Sequence, residues 1–292
     1  MIRSLLLFTL ASVACLVPNS LFSSEKIKVL IADGPQKAHK YLDTTPVLMQ
    51  ILDKIPRFEV DHSRSSKESC KDGSYMPDFS KYDVVVMNEG FGAADWPKAT
   101  QKAFEEFMAS GGGMVSIHAA NNCWPNWKEY NKMTGIGGWG GRNEKSGPYL
   151  YINSEGKVFR DTSKGKGGAH GPQHEFELIV REKDHPIMKG LPPTFNHGPD
   201  ELYDRLRGPA ENVTILATAF SSKEKRGTGR HEPALMTISY SKGRVFHTIL
   251  GHHVKQTKEG SFVTTFLRGT EWAATGVVTI PVHKDFPNQK FE

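Results

Sequence analysis

In the first half of the chain, short apolar runs alternate with longer stretches of helical spacing. Lys26 to Ala32 builds into a β-branched apolar run that stops at Asp33-Gly34-Pro35, which predicts a strand followed by a turn. Leu42 to Ile55 carries Leu48, Ile51, Leu52 and Ile55 at helical spacing, with Asp43 or Thr44 able to cap its start and Pro56 closing it. Phe58 to His62 reads as a second strand, and Tyr82 to Asn88 as one buried on both faces. Trp96 to Ser110 then places Phe104, Phe107 and Met108 on one helical side, Gly111-Gly112-Gly113 ends it, and Met114 to Ile117 forms the next strand. This alternation predicts a parallel sheet with right-handed crossovers, a doubly wound α/β fold.

The second half is less regular. From Gly135 to Gly171 the pattern dissolves into glycine, lysine and aromatic residues, a stretch too long for an ordinary connection and of the kind that carries function. Within it, Lys164 to Gly168 reads as a flexible, solvated loop able to act as a lid. Order returns with strands over Glu175 to Arg181 and Val213 to Phe220, a hairpin of Ala234 to Tyr240 and Arg244 to Leu250 around Ser241-Lys242-Gly243, and a last helix from Phe262 to Ala274.

The chain ends change the picture in a different way. Arg3, an apolar stretch from Leu5 to Val17 and a break at Pro18-Asn19-Ser20 predict a secretory signal peptide over residues 1–24, hence export to the periplasm or the extracellular space. The expected domain is residues 25–280, with a tail over 281–292. No later stretch has the roughly 20 apolar residues that a membrane span needs. Loss of Arg3 with the signal lowers the formal charge from +5 to +4, dispersed along the chain, which does not indicate nucleic-acid binding. Cys70 and Cys123 then remain, compatible with one disulfide or with two free thiols.

Candidate chemistry gathers around GGGMVSIHAANNCWPNW, Gly111 to Trp127. Strands of an open α/β sheet bind ligands beyond their carboxyl ends, so Met114 to Ile117 would deliver His118, Asn121 and Asn122 to that edge. Trp124 and Trp139 offer faces for a sugar ring, with Asn121, Asn122 and Arg142 for its hydroxyls, whereas Trp127 and Tyr130 suit core anchors of the following helix. The glycine-rich Gly137 to Arg142 follows no clear strand and lacks a phosphate-binding arrangement. Asp200 and Glu201 precede the apolar-periodic LYDRL, where a carboxylate could cap a helix or join a site. His252 and His253, being adjacent in extended chain, point apart, so one of them at most faces a given ligand. The sequence requires no cofactor; were a divalent metal bound, His118, His174 and His252 would be the first ligands to expect, although no HExxH spacing is present.

The position of His118 is similar to the elbow cysteine of class I glutamine amidotransferases, but the aligned residue is histidine, and near Cys123 nothing matches that family's activating His and Glu. The series GGGMVSIHAA, GIGGWGGR, HEFELIVREKDHPIMKGLP, DELYDRL and PALMTISYSKGRVFHTILGHH resembles the ThuA-like, or trehalose-utilisation, family over roughly Ile27 to Ala274. That resemblance implies a flavodoxin-like sheet of the amidotransferase type without its triad, and a role in carbohydrate metabolism. In such pathways glycosides are oxidised at carbon 3 and the keto-sugar is processed further. Two features depart from the family: His247, where many relatives carry an aromatic residue, and a longer stretch from Asn143 to Gly168.

A ketone acidifies neighbouring C–H bonds, so isomerisation or elimination needs only a base, an acid and enolate stabilisation. The expectation is therefore an exported carbohydrate-processing enzyme. His118 and Asp200 or Glu201 would transfer protons, His174 and His252 would polarise the sugar or bind metal, and a small carbohydrate is the partner. The alternative is a non-catalytic sugar-binding module; convergence of histidines and carboxylates separates the two.

Overall fold

The computed structural model describes residues 26–291, so the expected signal peptide lies outside the described residues. In chain order the first elements are β1 (Ile27–Asp33), α1 (Tyr41–Asp53), β2 (Phe58–Arg64), α2 (Lys67–Asp72), β3 (Val84–Asn88), α3 (Lys98–Ala109), β4 (Gly113–Ile117) and α4 (Lys128–Thr134). Then follow β5 (Tyr149–Ile152), β6 (Val158–Asp161), β7 (Ala169–His170), β8 (His174–Val180), β9 (Thr194–Asp200), β10 (Tyr203–Asp204) and β11 (Val213–Ser221). β12 (Arg230–Tyr240), β13 (Gly243–Thr248), α5 (Val254–Thr257) and α6 (Gly260–Thr275) complete the fold.

The main sheet runs β2-β1-β3-β4-β13-β12-β11-β8-β9. From β2 to β13 neighbouring strands are parallel, and the strands beyond are antiparallel. The α/β expectation is met, in mixed form. β3 and β4 are buried at every position, as expected of strands covered on both faces. The step that positions the site is the return of the chain through the β12–β13 hairpin, which lays β13 beside β4 with Thr248 opposite Ile117. α6 covers this junction closely: a Cβ on Gly269 would stand 2.1 Å from the Phe246 ring, so only glycine allows the helix to pack so near.

Several local expectations are corrected. α1 starts after Lys40 with no side-chain cap: Asp43 and Thr44 lie inside its first turn, and the Thr44 hydroxyl donates to the Lys40 carbonyl. α2 is an additional helix, opened by a Ser66–Ser69 capping box. The DELYDRL stretch is not a helix: β9 ends at Asp200 and Tyr203–Asp204 pairs with β7.

The glycine-rich stretch holds a β5–β6 ribbon joined to β12. Its Lys164 to Gly168 segment is anchored rather than free, since the buried Arg207 guanidinium donates to the carbonyls of Gly147, Ser163 and Gly165. The tail expected beyond residue 280 packs on the body of the fold: Phe286 lies on Phe195 at 4.9 Å, and Gln289 bonds Gly260 and Thr264. Among the described residues Cys70 and Cys123 are free, buried thiols. Among the described residues no helix is long and apolar enough to cross a membrane.

Candidate active site

β4 delivers His118 into a tight strand-to-3₁₀ turn with φ +43°. That conformation disfavours side-chain-bearing residues, so the sharp elbow expected from the sequence is present and carries backbone strain. The imidazole is held from behind: Nδ1–H donates to the Ile249 carbonyl at 2.5 Å. A carbonyl can only accept, so in the neutral ring Nε2 carries the lone pair and faces the sheet edge.

Three further side chains meet this Nε2. The Tyr203 hydroxyl donates to it at 2.8 Å, His252 Nδ1 lies 3.2 Å away and Glu201 Oε2 3.6 Å away. Glu201 Oε2 is also 3.2 Å from His252 Nδ1, and its other oxygen is 3.7 Å from His170. His39, from the loop after β1, stands edge-on to both His118 and His252, with ring centroids 4.8 and 4.9 Å away. The donor atoms of His39, His118, Glu201 and His252 all lie within 4.8 Å of one another.

The electrostatics follow from this crowding. Burial pushes the Glu201 carboxyl up, but its interactions with the His118 and His252 imidazoles outweigh it and hold the group well below the usual carboxylate range. Burial, then the neighbouring His118 and His252, lowers His39 to about 3 despite the opposing pull of Glu201. Tyr203 is raised well above its ordinary value by burial and by the Glu201 charge, so its hydroxyl keeps its proton.

Asp200 stands one layer behind. Fully buried, it accepts from His197 Nε2–H at 3.0 Å and from the Gly251 N–H at 2.8 Å. Burial opposes ionisation here too, but these bonds hold the carboxyl below its ordinary value. The carboxylate thereby clamps the end of β9 to the loop after β13, which brings Glu201 and His252 together. Its place is that of a positioning residue, unlike the proton-transfer role expected for it.

The expected sugar contacts divide in the same way. Trp124 is a core residue: its ring packs on Trp96 at 4.9 Å and Tyr130 at 4.8 Å, and its N–H donates to Ala94. Arg142 is spent on scaffolding, donating to the carbonyls of Asn122, Gly138 and Cys123 and to Asn131. Asn121 donates to His247 Nε2 at 2.9 Å, deep in the core.

Trp139 and Asn122 remain near the site. Trp139 is half-buried and meets Tyr203 edge-on at 4.7 Å, while Asn122 is buried with its Oδ1 unpaired. His174 is outside the cluster: its Nδ1–H donates to the Pro172 carbonyl, and His39 and Glu201 take the places expected for it among the metal-capable groups. His39 and Tyr203 are the participants that sequence reasoning missed. The cue for His39 was its position just beyond the carboxyl end of β1; Tyr203 was hidden by the helical reading of LYDRL.

A family model for trehalose utilisation, ThuA, matches residues 28–273. A ThuA-like protein from Parabacteroides merdae is 44% identical, with 90% of this chain and 95% of that one covered and a TM-score of 0.86. The chain belongs to the ThuA family. A second ThuA-like protein, from Bacteroides uniformis, shares the fold at 18% identity, TM-score 0.57, covering 87% of this chain and 94% of that one. No curated protein matches the sequence. The ThuA fold is of the glutamine amidotransferase type, and this member carries His118, not cysteine, at its elbow.

Proposed function

We propose that this ThuA-family chain is an exported carbohydrate-processing enzyme that acts on a glycoside or 3-keto-glycoside by acid and base chemistry. The observation that carries the reading is the convergence of Glu201, His252 Nδ1 and the Tyr203 hydroxyl within 3.6 Å of His118 Nε2. A binding module needs no such gathering of proton-transfer groups, whereas enolisation beside a ketone needs both an acceptor and a donor. His118 Nε2 and the ionised Glu201 are acceptors, and the protonated Tyr203 is a donor placed to serve a developing enolate oxygen. Trp139, at the rim against Tyr203, is the ring on which the C–H face of a sugar would rest.

The test is a proton NMR time course in heavy water with 3-keto-trehalose and with trehalose. Deuterium uptake beside the ketone, elimination or glycosidic cleavage is the expected result. Spectra that merely broaden or shift on binding, without turnover, would favour the sugar-binding module, and no response to either sugar would overturn the substrate class.

A further inference from the structure

We infer that His39, His118, Glu201 and His252 form a binding site for one divalent first-row transition-metal ion. The four side chains come from four separate segments, after β1, at the end of β4, after β9 and after β13. Three of their donor atoms already form a triangle, with edges of 3.2 Å (His118 Nε2 to His252 Nδ1), 3.2 Å (His252 Nδ1 to Glu201 Oε2) and 3.6 Å (His118 Nε2 to Glu201 Oε2). Bonds of about 2.0–2.1 Å in a tetrahedral zinc site separate ligand atoms by roughly 3.3 Å, so these three need hardly move. His39 completes the set, its ligand atom within 4.8 Å of the others; its Nε2 is 3.4 Å from the Tyr203 hydroxyl, and among the described residues its Nδ1 has no hydrogen-bond partner.

Two further features suit a cation. The His118 Nδ1–H is committed to the Ile249 carbonyl, the outer-shell arrangement that fixes a ligating imidazole and aims its lone pair inward. The His118 Nε2 lone pair and Glu201 Oε2 also face each other at 3.6 Å, two acceptors with no proton between them. A single cation satisfies those lone pairs together. Three nitrogens and one carboxylate oxygen form a borderline donor set that suits zinc, cobalt, nickel or iron better than calcium or magnesium. With an ion in place His118 Nε2 and Glu201 Oε2 would be its ligands, Glu201 Oε1, beside His170, would be the acceptor that remains, Tyr203 would stay the proton donor, and the ion would polarise a bound ketone.

The site can be tested without any substrate. Chelator-treated, dialysed full-length protein is titrated with Zn²⁺ by calorimetry and with Co²⁺ by visible absorption, which reports coordination geometry. One ion per chain, with a four- or five-coordinate cobalt spectrum, is expected. His39→Ala, Glu201→Gln and His252→Ala should each weaken binding at least about tenfold, while His283→Ala, a half-exposed histidine near the C-terminus, should not. Zn²⁺ should also raise the unfolding temperature of the wild-type chain more than that of His39→Ala at the same concentration, provided both metal-free proteins unfold cooperatively. Absence of saturable binding, or His39→Ala binding as tightly as wild type, would overturn the site. Turnover of 3-keto-trehalose by protein that binds no metal would sink this inference and leave the proposed function standing; stoichiometric metal without turnover of either sugar would do the reverse.

Discussion

The Nδ1–H of His118 donates to the carbonyl of Ile249 at 2.5 Å, and this one bond sets the chemistry of the elbow. It joins the residue that ends β4 to the segment that follows β13, and it fixes which ring nitrogen faces Glu201, His252 and Tyr203. Without it the ring could rotate and present an N–H where an acceptor is needed.

Removal of that ring should be felt mainly in turnover. His118→Ala is expected to lower kcat by about 10²–10⁴, the usual worth of a positioned proton-transfer group. Steady-state kinetics beside a denaturation curve is the check. A loss below about tenfold in a folded variant would remove His118 from the chemistry.

Tyr203→Phe keeps the ring that packs on Trp139 and His118 and deletes only the hydroxyl. The expected outcome is a fall in kcat of about tenfold or more with KM nearly unchanged, because the donor acts on charge that develops in the transition state. An equal rise in KM would assign Tyr203 to binding instead.

The two tryptophans first read alike should part company. Trp124→Ala opens a cavity in the aromatic core and should cost roughly 3–5 kcal/mol of stability, measured by urea unfolding. Trp139→Ala, half-buried at the rim, should leave the unfolding midpoint close to wild type and raise KM for the sugar.

Acid should destabilise the fold through histidines buried in the neutral form. Burial lowers His247 to about 4, despite its hydrogen bond to Thr134, and burial lowers His185 to about 4 as well. Both pKa values lie below the unfolded value of 6.5, so the unfolded chain binds more protons between the two. Stability is therefore full above about pH 6.5 and falls as the pH drops towards 4, by about 1.4 kcal/mol per pH unit for each fully buried group, and by less at the half-buried His185. Urea midpoints measured from pH 7.5 to 4.5 test this. His247→Phe should show a shallower acid slope but lower stability at neutral pH, because Asn121 and the Thr134 carbonyl lose their partner.

What was legible along the chain was local. Strands buried on both faces announce themselves as continuous apolar runs, and β3 and β4 were readable for that reason. The elbow was readable because glycine-rich approach, apolar strand and histidine are contiguous. LYDRL misled because its apolar spacing suits a helix, while its backbone is claimed by pairing with β7, a partner more than thirty residues earlier. Asn121, Trp124 and Arg142 were read as ligand contacts from polarity and neighbours alone, yet each is held in the interior by partners distant in sequence.

The sequence by itself determined the α/β alternation, the family and the place of His118 at the end of β4, because each rests on short-range spacing and contiguous motifs. The tertiary structure alone decided which histidines meet. Glu201 and His252 reach His118 only because β13 returns beside β4 and the buried Asp200 clamps the end of β9 to Gly251, and His39 because β1 lies in the same sheet, next to the β3 that pairs with β4. Such convergence depends on strand order and on hydrogen bonds between residues some fifty or more apart, which no periodicity along the chain encodes.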